Sequence, residues 1–300
     1  MDNEIVGEYE NIVTSSGINL IKKYLTGAVA EWAGSIAIGA MNNSSPSASD
    51  SILEYEYARS KILLKSYDTS TGEIILKANF SAALSGQIYE IGIFSYTNNP
   101  FSNGFDDKLL FNFDEGWYNS STASSVTMSA SGRVGSKNYL IQSSASSSIY
   151  TNIGLDISGY SNYDYLDFLY NVTASQAGTR AASIIFTDNQ IPTAGTASIV
   201  INLDSSTTGF KKLSAQFASV TRSATFNNQI SRITLIFEGT GKTSTIQADA
   251  LKIRDVSLSD ENLCLVSRAL IGVTGGTTST DYFSKMPGAE MDIEYRMTIS

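Results

Sequence analysis

The sequence predicts a mainly β fold, in which a small α+β outer domain is interrupted by an inserted β-sandwich or jelly-roll domain. Strand patterns follow one helix in the first part of the chain, many short strands with Ser, Gly and Asn turns begin at Phe105, and the first pattern returns near Leu263. A chain of 300 residues is long enough for two cores. We therefore predict the outer domain at 1–103 and 259–300 and the inserted domain at 104–258.

One N-terminal helix is predicted before the strands begin. Ser15 or Ser16 is its predicted N-cap, because a serine hydroxyl accepts a hydrogen bond from a free amide of the first turn. Gly27 is its predicted stop. The face that is expected to pack on the core carries residues at i, i+3, i+7 and i+10, namely Ile18, Ile21, Leu25 and Ala28.

Alternation with period two predicts the strands of the outer domain, for example in Glu73–Phe80 and Gln87–Phe94. The same pattern returns in Met291–Ile299. A C-terminal piece of about 40 residues buries too little area for a core of its own, so we expect this strand to pack with the outer domain. Glu54–Leu64 is predicted to be an edge strand, whose unpaired amides and carbonyls are available to a neighbouring subunit.

The inserted domain is predicted from the density of its short strands. Roughly eight or nine strand patterns occupy about 150 residues, with almost no helical periodicity, which is typical of a β-sandwich or jelly roll. Neither a solenoid repeat nor a coiled-coil heptad is present in the sequence. A fibre shaft is therefore not predicted.

The composition argues against several classes of partner. The net charge is −9 and no basic stripe is present, which disfavours a nucleic acid and an anionic membrane surface. No apolar run reaches about 18 residues, so no membrane insertion is predicted. The start Met1-Asp-Asn-Glu lacks the positive, apolar beginning of a signal peptide, so we expect a product that is made in the cytoplasm.

The sequence contains no histidine and one cysteine. The lack of histidine removes imidazole bases, Ser-His-Asp and Cys-His triads, and imidazole metal sites. Cys264 lies in an apolar run and is expected to be buried. Glycoside hydrolysis needs two carboxyl groups about 5–10 Å apart across a cleft. Adjacent strand residues point to opposite faces, which removes the pairs Asp106/Asp107 and Asp114/Glu115. We predict no catalytic residue.

Six segments of the outer domain occur in a characteristic order: Tyr24–Gly27, Ser35–Gly39, Leu53–Leu63, Glu73–Phe80, Leu84–Phe94 and Met291–Ile299. The most specific motif is Tyr89-Glu-Ile-Gly-Ile-Phe94. In this order they resemble the N-terminal attachment domain of bacteriophage tail-collar and tail-fibre proteins, from which the chain departs by the interruption before its last strands. The resemblance implies docking on other virion proteins, localisation in the virion, and a homo-oligomer, with a trimer as the first expectation.

Segments of the inserted domain resemble the jelly-roll carbohydrate-binding modules that are appended to glycoside hydrolases: Phe113–Trp117, Gly135–Leu140, Leu155–Ser161, Asp164–Tyr170 and Ala248–Ile253. The resemblance implies a structural calcium ion near the first and last strands, with Asp114, Glu115 and Asp249 as candidate ligands. Calcium takes six to eight oxygen ligands, which two adjacent strands are able to supply. The alternative is that these residues are solvated turn acids. No other cofactor is required.

A group of tyrosines in the inserted domain offers aromatic faces for sugar rings: Tyr150, Tyr160, Tyr163, Tyr165 and Tyr170. Sugar C–H faces stack on flat rings, and the phenolic hydroxyl suits a wet interface. Tyr170 alternates with inward apolar residues and is expected to be buried. Tyr160 and Tyr163 lie in a Ser/Gly/Asn loop, so we predict these two as the glycan-binding residues.

Together these observations predict a non-enzymatic structural component of a tailed-phage virion, located at the baseplate, tail or collar. The outer domain would dock on neighbouring virion proteins, and the jelly roll would be displayed outward. Two alternatives stay open. In the first, the chain is a host-surface adhesin whose inserted domain binds host polysaccharide. In the second, it is a head or neck decoration protein.

Overall fold

The residues that the computed structural model describes are 11–95, 108–111, 118–119, 124–129, 132–135, 138–143, 147–160, 164–175, 180–188, 195–203, 209–237, 244–254, 264–271 and 281–298. The chain divides into two compact units. The outer unit is Met1–Gly104 with Leu258–Ser300, and the inserted unit is Phe105–Ser257. The predicted mainly β class is confirmed. The folding of each unit as an independent domain stays a prediction.

The elements before the insert are β1 (Asn11–Val13), α1 (Ser15–Leu25), β2 (Ser35–Gly39), β3 (Glu56–Asp68), β4 (Glu73–Phe80), β5 (Gly86–Ile88) and β6 (Glu90–Phe94). The inserted unit contains β7 (Lys108–Phe111), β8 (Tyr118–Asn119), β9 (Ser124–Ser129), β10 (Asn138–Ser143), β11 (Ser147–Asp156), β12 (Tyr165–Ser175), β13 (Arg180–Asp188), β14 (Thr196–Leu203), β15 (Lys211–Gln216), β16 (Thr221–Arg222), β17 (Gln229–Phe237) and β18 (Ser244–Arg254). The chain ends with β19 (Leu265–Leu270), β20 (Phe283–Lys285) and β21 (Met291–Met297). In the described part of the chain, no helix has the length and apolar character needed to cross a membrane.

The described strands of the outer unit form a seven-stranded sheet of order β1-β19-β6-β2-β3-β4-β21. β19 lies antiparallel between β1 and β6. β21 pairs with β4 from Met291↔Phe80 to Met297↔Ile74, and β20 pairs with β5. Each described strand that follows the insert therefore pairs with a strand that precedes it.

The predicted edge position of Glu54–Leu64 is wrong. This segment lies mostly in β3, a strand of 13 residues. Its residues 56–61 pair with β2 and its residues 62–68 pair with β4, with a bulge between Ile62 and Leu64. Because a long strand reaches two partners and β21 adds beside β4, the edges of the described sheet are β1 and β21.

The cap of α1 differs from its prediction. Thr14, and not Ser15 or Ser16, is the N-cap, and its hydroxyl accepts a hydrogen bond from the Gly17 amide at 2.9 Å. The same hydroxyl donates to the Leu265 carbonyl of β19. A cap that also contacts the sheet fixes where the helix begins. The predicted stop is correct, since Gly27 follows the helix with a φ of 74°.

The buried face of α1 also differs from its prediction. It consists of Gly17, Leu20 and Ile21, whereas Ile18 is 44% and Leu25 is 76% exposed, and Ala28 lies past the helix end. The reason is a close approach to β19. A Cβ atom on Gly17 would lie 2.3 Å from the carbonyl oxygen of Val266, so this glycine sets which side of the helix faces the sheet.

A buried ion pair holds β19 against the N-terminal strands. Arg268 is 2% exposed and donates from Nε to Glu90 Oε2 at 3.0 Å and from Nη1 to Asp50 Oδ2 at 2.8 Å. The Glu90 carboxylate also accepts the amide N–H groups of Glu54 and Tyr55. The pair is thus fully hydrogen-bonded, as a buried charge requires, and it ties the chain on both sides of the insert.

The inserted unit packs two described sheets around one core. One sheet has the order β15-β12-β18-β10-β9, with β7 also paired to β18, and the other has the order β16-β14-β13-β17-β11-β8. Alternate residues of both sheets meet in the core, which includes the aromatic side chains Phe168, Tyr170, Phe186, Phe217 and Phe237. The expected burial of Tyr170 is confirmed, at 2% exposed.

Candidate functional site

One side of the β16-β14-β13-β17-β11-β8 sheet faces away from the core, and we call it the aromatic face. Strict alternation creates it: in β14 the residues follow an exposed–buried pattern, and in β17 and β13 the outward positions are half-buried or exposed. Strand register brings the outward residues together. They are Tyr118, Ser148, Tyr150, Asn152, Ser183, Ile185, Thr187, Thr196, Ser198, Val200, Asn202, Arg232, Thr234 and Ile236.

A pair of tyrosine rings lies at one side of the aromatic face. Tyr118 of β8 is directly opposite Tyr150 of β11 in the strand register. Their ring centroids are 5.4 Å apart with an interplanar angle of 30°. Tyr118 is 54% exposed, and Tyr150 is half-buried. Two neighbouring rings on directly paired strands form a contiguous apolar surface with hydroxyl groups at its rim.

An arginine lies over one ring of this tyrosine pair, that of Tyr150. Arg232 is opposite Asn152 in the register, and Thr234 is opposite Tyr150. These two pairs lie next to each other on the same face of the sheet. The guanidinium carbon of Arg232 is 4.5 Å from the centroid of the Tyr150 ring, and its Nε donates to Asn152 Oδ1 at 3.1 Å. The ring and the amide oxygen together hold the guanidinium in one orientation on an exposed surface.

The other side chains of the aromatic face are neutral. Serine, threonine and asparagine supply hydroxyl and amide groups, and none of the residues that define the face is acidic. The aspartates at the end of this sheet are engaged with the backbone. Asp188 is buried and accepts the amides of Gly195 and Asn227, and Asp156 accepts the amide of Ser158.

The outward side of the other sheet carries a network of charges. Asp167 is 0% exposed, and its carboxylate accepts from Arg254 Nε at 2.8 Å and from the Ser214 hydroxyl at 2.5 Å. Burial raises the pKa of the Asp167 carboxyl, but the positive charges of Lys252 and Arg254 outweigh it, so this pKa is lowered. The guanidinium of Arg254 also covers the Tyr165 ring, at 4.4 Å from its centroid.

The predicted glycan-binding tyrosines are not both described. Tyr163 lies outside the described residues. Tyr160 is half-buried, packs against the core, and stacks on Phe217 with ring centroids 6.2 Å apart. One face of the Tyr160 ring is therefore occupied within the protein. A glycan contact by either tyrosine stays a prediction.

Of the predicted calcium ligands, Asp114 and Glu115 lie outside the described residues. Asp249 is 0% exposed and lies at a bulge of β18, and its two oxygens accept the amides of Arg133 at 2.6 Å and Val134 at 3.2 Å. Each carboxylate oxygen therefore accepts one backbone amide. The part of the chain that is described contains no group of three metal-ligating acidic or thiol side chains, so the calcium site stays a prediction.

The aromatic face was not the predicted site, although one of its residues belongs to the predicted tyrosine group. The signal in the sequence is the alternation Ser148-Tyr150-Asn152, which places three polar or aromatic residues on one side of β11. Tyr118 and Arg232 carry no comparable signal, because they reach Tyr150 only through strand pairing across many residues of chain.

No family model matches the sequence, and no curated protein matches it. The chain is similar in structure to a family 11 carbohydrate-binding module from Clostridium thermocellum in complex with a β-1,3-1,4-mixed-linked tetrasaccharide, at 15% identity and a TM-score of 0.36, over 50% of this chain and 95% of that one. It is also similar to the CBM22-1–GH10 modules of xylanase 10B from Clostridium thermocellum complexed with xylohexaose, at 17% identity and a TM-score of 0.33, over 47% and 26% of the two chains. A third similar structure is the enzymatically active domain of tailspike protein 4 of bacteriophage CBA120, at 19% identity and a TM-score of 0.34, over 48% and 20%.

Proposed function

We propose that the inserted unit binds carbohydrate on its aromatic face, without chemical turnover of the ligand. The observation that carries this proposal is the tyrosine pair, in which Tyr118 is 54% exposed and its ring centroid lies 5.4 Å from that of Tyr150. An exposed ring that is supported by a second ring on the paired strand is a surface on which the apolar C–H face of a sugar stacks.

The surroundings of the ring pair suit a sugar chain better than an apolar partner. Hydroxyl and amide side chains such as Asn152, Thr234 and Ser198 share the face with the rings, and both donate and accept hydrogen bonds. Sugars present many hydroxyl groups with the same dual character. An apolar ligand would cover such groups without offering them a hydrogen bond.

The test is the binding of soluble polysaccharides to the full chain, by affinity gel electrophoresis followed by calorimetry. We expect Tyr150→Ala to weaken binding about tenfold or more, because the exposed Tyr118 ring and the Arg232 guanidinium both lose the ring that they contact, and Tyr150→Phe, which keeps that ring, to bind like the wild type. Tyr282→Ala is the matched control, since Tyr282 is 43% exposed and its ring centroid lies 5.2 Å from that of Tyr89, but it belongs to the outer unit. Unchanged binding by Tyr150→Ala, or no binding across a panel of neutral and acidic polysaccharides, contradicts the proposal.

We also propose that the outer unit anchors the chain among other virion proteins of a tailed phage, so that the inserted unit acts as a displayed adhesin for a host-surface polysaccharide. The observation that favours a protein partner is a set of exposed large apolar side chains on α1 and β3: Ile18, Tyr24, Leu25, Leu63, Leu64 and Tyr67. Apolar surface of this kind is common where proteins associate.

Two measurements address the anchoring role. Light scattering on the purified chain tests the homo-oligomer, for which a trimer is expected. A particle reconstruction tests the location, since baseplate, tail or collar density agrees with this role and head or neck density favours a decoration protein instead. A monomer that is absent from particles contradicts the anchoring role and leaves the carbohydrate proposal to its own test.

A further inference from the structure

We propose that the ligand of the aromatic face is an acidic glycan, whose carboxylate or sulfate group pairs with the guanidinium of Arg232. The inference rests on the proposed carbohydrate binding and adds the chemical class of the sugar. Neutral sugars use the rings alone, whereas an anionic sugar uses the rings and the arginine together.

The first support is the state of the Arg232 side chain. It is exposed, its Nε is occupied by Asn152 Oδ1, and its plane is held over the Tyr150 ring. In the described part of the chain it forms no ion pair, so its terminal nitrogens have no carboxylate partner there. A guanidinium presents its N–H groups as a fork that matches a carboxylate or sulfate with two parallel hydrogen bonds.

The second support is a comparison with other arginines of the described chain. Four of them form ion pairs within the protein: Arg59 with Glu56, Arg254 with Asp167, Arg268 with Asp50 and Glu90, and Arg296 with Glu73 and Glu294. In a chain with a net charge of −9, acidic partners are plentiful. Arg222 also hydrogen-bonds to a neutral oxygen, Asn228 Oδ1, but covers no aromatic ring among the described contacts. Arg232 is oriented by both a ring and an amide oxygen and has no described acidic partner, so its charge is held in place to meet an anion from outside.

The third support is the charge of the whole face. The residues that define the aromatic face include one cation and no acid, although acidic residues outnumber basic ones by 29 to 20 in the sequence. The described carboxylates of this sheet are Asp188, which is buried and accepts two backbone amides, and Asp156, which is exposed at the end of β11. Neither is hydrogen-bonded to Arg232, so its charge is available to an anion that approaches this face. Elsewhere the net negative charge opposes the same anion.

The geometry places the charge where a stacked sugar needs it. Arg232 and Tyr150 lie on the same face of directly paired strands, and the guanidinium already contacts the ring. The Tyr118 ring and the Arg232 guanidinium are both neighbours of the Tyr150 ring, so a sugar that stacks on Tyr118 lies near the positive charge. One sugar unit is then able to use stacking and an ion pair at once.

The experiment compares matched anionic and neutral polymers on the full chain. The probes are sodium polygalacturonate against its carboxyl-reduced form, and dextran sulfate against dextran, so the two pairs separate carboxylate from sulfate. We expect at least one anionic polymer to bind more tightly than its neutral match. Arg232→Gln should reduce that affinity about fivefold to tenfold, the range of a charge-assisted contact at a surface, and should leave binding of the neutral match unchanged.

Arg222→Gln is the matched control, because Arg222 is also exposed on this sheet and hydrogen-bonds to a neutral oxygen, Asn228 Oδ1, but covers no aromatic ring among the described contacts. It should bind like the wild type. Binding that depends on Tyr150 but shows no preference for the anionic polymers, or no effect of Arg232→Gln, overturns the acidic-glycan inference alone. A failure of all four polymers to bind overturns it together with the proposed function.

Discussion

The two sheets of the inserted unit each hold an arginine over a tyrosine ring, yet the two pairs have different neighbours. The guanidinium of Arg254 lies 4.4 Å from the Tyr165 ring centroid, and that of Arg232 lies 4.5 Å from the Tyr150 ring centroid. Arg254 also forms an ion pair with the buried carboxylate of Asp167. Within the described chain, the hydrogen bond of Arg232 goes to a neutral amide oxygen instead.

We infer from this difference that the same local motif has two roles. At Tyr165, the hydroxyl accepts from Gln216, and the arginine charge is neutralised by a residue that is 0% exposed. On that side of the sheet the charged and polar groups have hydrogen-bond partners within the protein, and these contacts contribute to stability. At Tyr150 the charge is oriented but not neutralised by the described residues, which leaves it for a ligand. The predictions below separate these two roles.

The largest loss of stability is expected when the buried carboxylate of Asp167 is replaced. Asp167→Asn removes the negative charge that balances Arg254 and Lys252, and an unbalanced buried charge destabilises a protein by about 3 kcal/mol. Urea unfolding of the full chain should show this loss in the transition of the inserted unit. Asp156→Asn, an exposed carboxylate whose replacement keeps an acceptor oxygen, should change stability by less than about 0.5 kcal/mol. Equal losses of stability for Asp167→Asn and Asp156→Asn would contradict a stabilising role for the Asp167 carboxylate.

The same carboxylate predicts a pH dependence. Its pKa is lowered in the folded protein, so its contribution to stability is present above the unfolded value of about 4 and is lost as the pH falls toward the folded value. Urea midpoints measured from pH 7 down to pH 3 should therefore fall more steeply for the wild type than for Asp167→Asn. Parallel curves would show that the Asp167 ion pair does not contribute.

The next largest loss of stability is expected when Arg254 is replaced, and replacement of Arg232 gives the direct comparison. Arg254→Gln leaves Asp167 with an incomplete set of partners and should destabilise the inserted unit by about 2 kcal/mol. Arg232→Gln should alter stability by less than about 0.5 kcal/mol, because no buried charge loses its partner. Both are measured by urea unfolding at pH 7. A large loss of stability for Arg232→Gln would mean that its role is structural.

A smaller loss of stability than that of Arg254→Gln is expected for a tyrosine that was predicted to bind glycan. Tyr160→Ala removes a half-buried ring that stacks on Phe217 and should lower stability by about 1 kcal/mol. If the aromatic face is the site, polysaccharide binding by the folded variant should equal that of the wild type. A tenfold loss of polysaccharide binding at unchanged stability would indicate that Tyr160 contacts the glycan, as the sequence predicted.

Much of the fold follows from patterns that act over a few residues. The alternation in Glu73–Phe80 predicts β4 with its observed bounds, and the alternation in β21 predicts that Tyr295 and Met297 are buried while Glu294 is exposed. These patterns are readable because the two sides of a strand meet different environments. Gly27 is readable for a similar reason, since a positive φ favours glycine.

The parts that sequence patterns miss depend on contacts between distant segments. Thr14 caps α1 because it also reaches β19, and Gly17 selects the buried side of the helix because it meets Val266. The site is missed for the same reason. Tyr118 and Arg232 become neighbours of Tyr150 only when β8 and β17 pair with β11 in one register, and no local pattern encodes that register.

The most direct test of the proposed carbohydrate binding at the aromatic face is nuclear magnetic resonance of the full chain with isotope-labelled tyrosine, titrated with an oligosaccharide from the best-binding polymer. Single Tyr→Phe variants assign the ring signals. The account predicts that the signals of Tyr118 and Tyr150 shift in a saturable manner, while that of Tyr165, which lies under its neutralised arginine, stays in place. Saturable shifts at Tyr165 or Tyr160, with Tyr118 and Tyr150 unchanged, would contradict it.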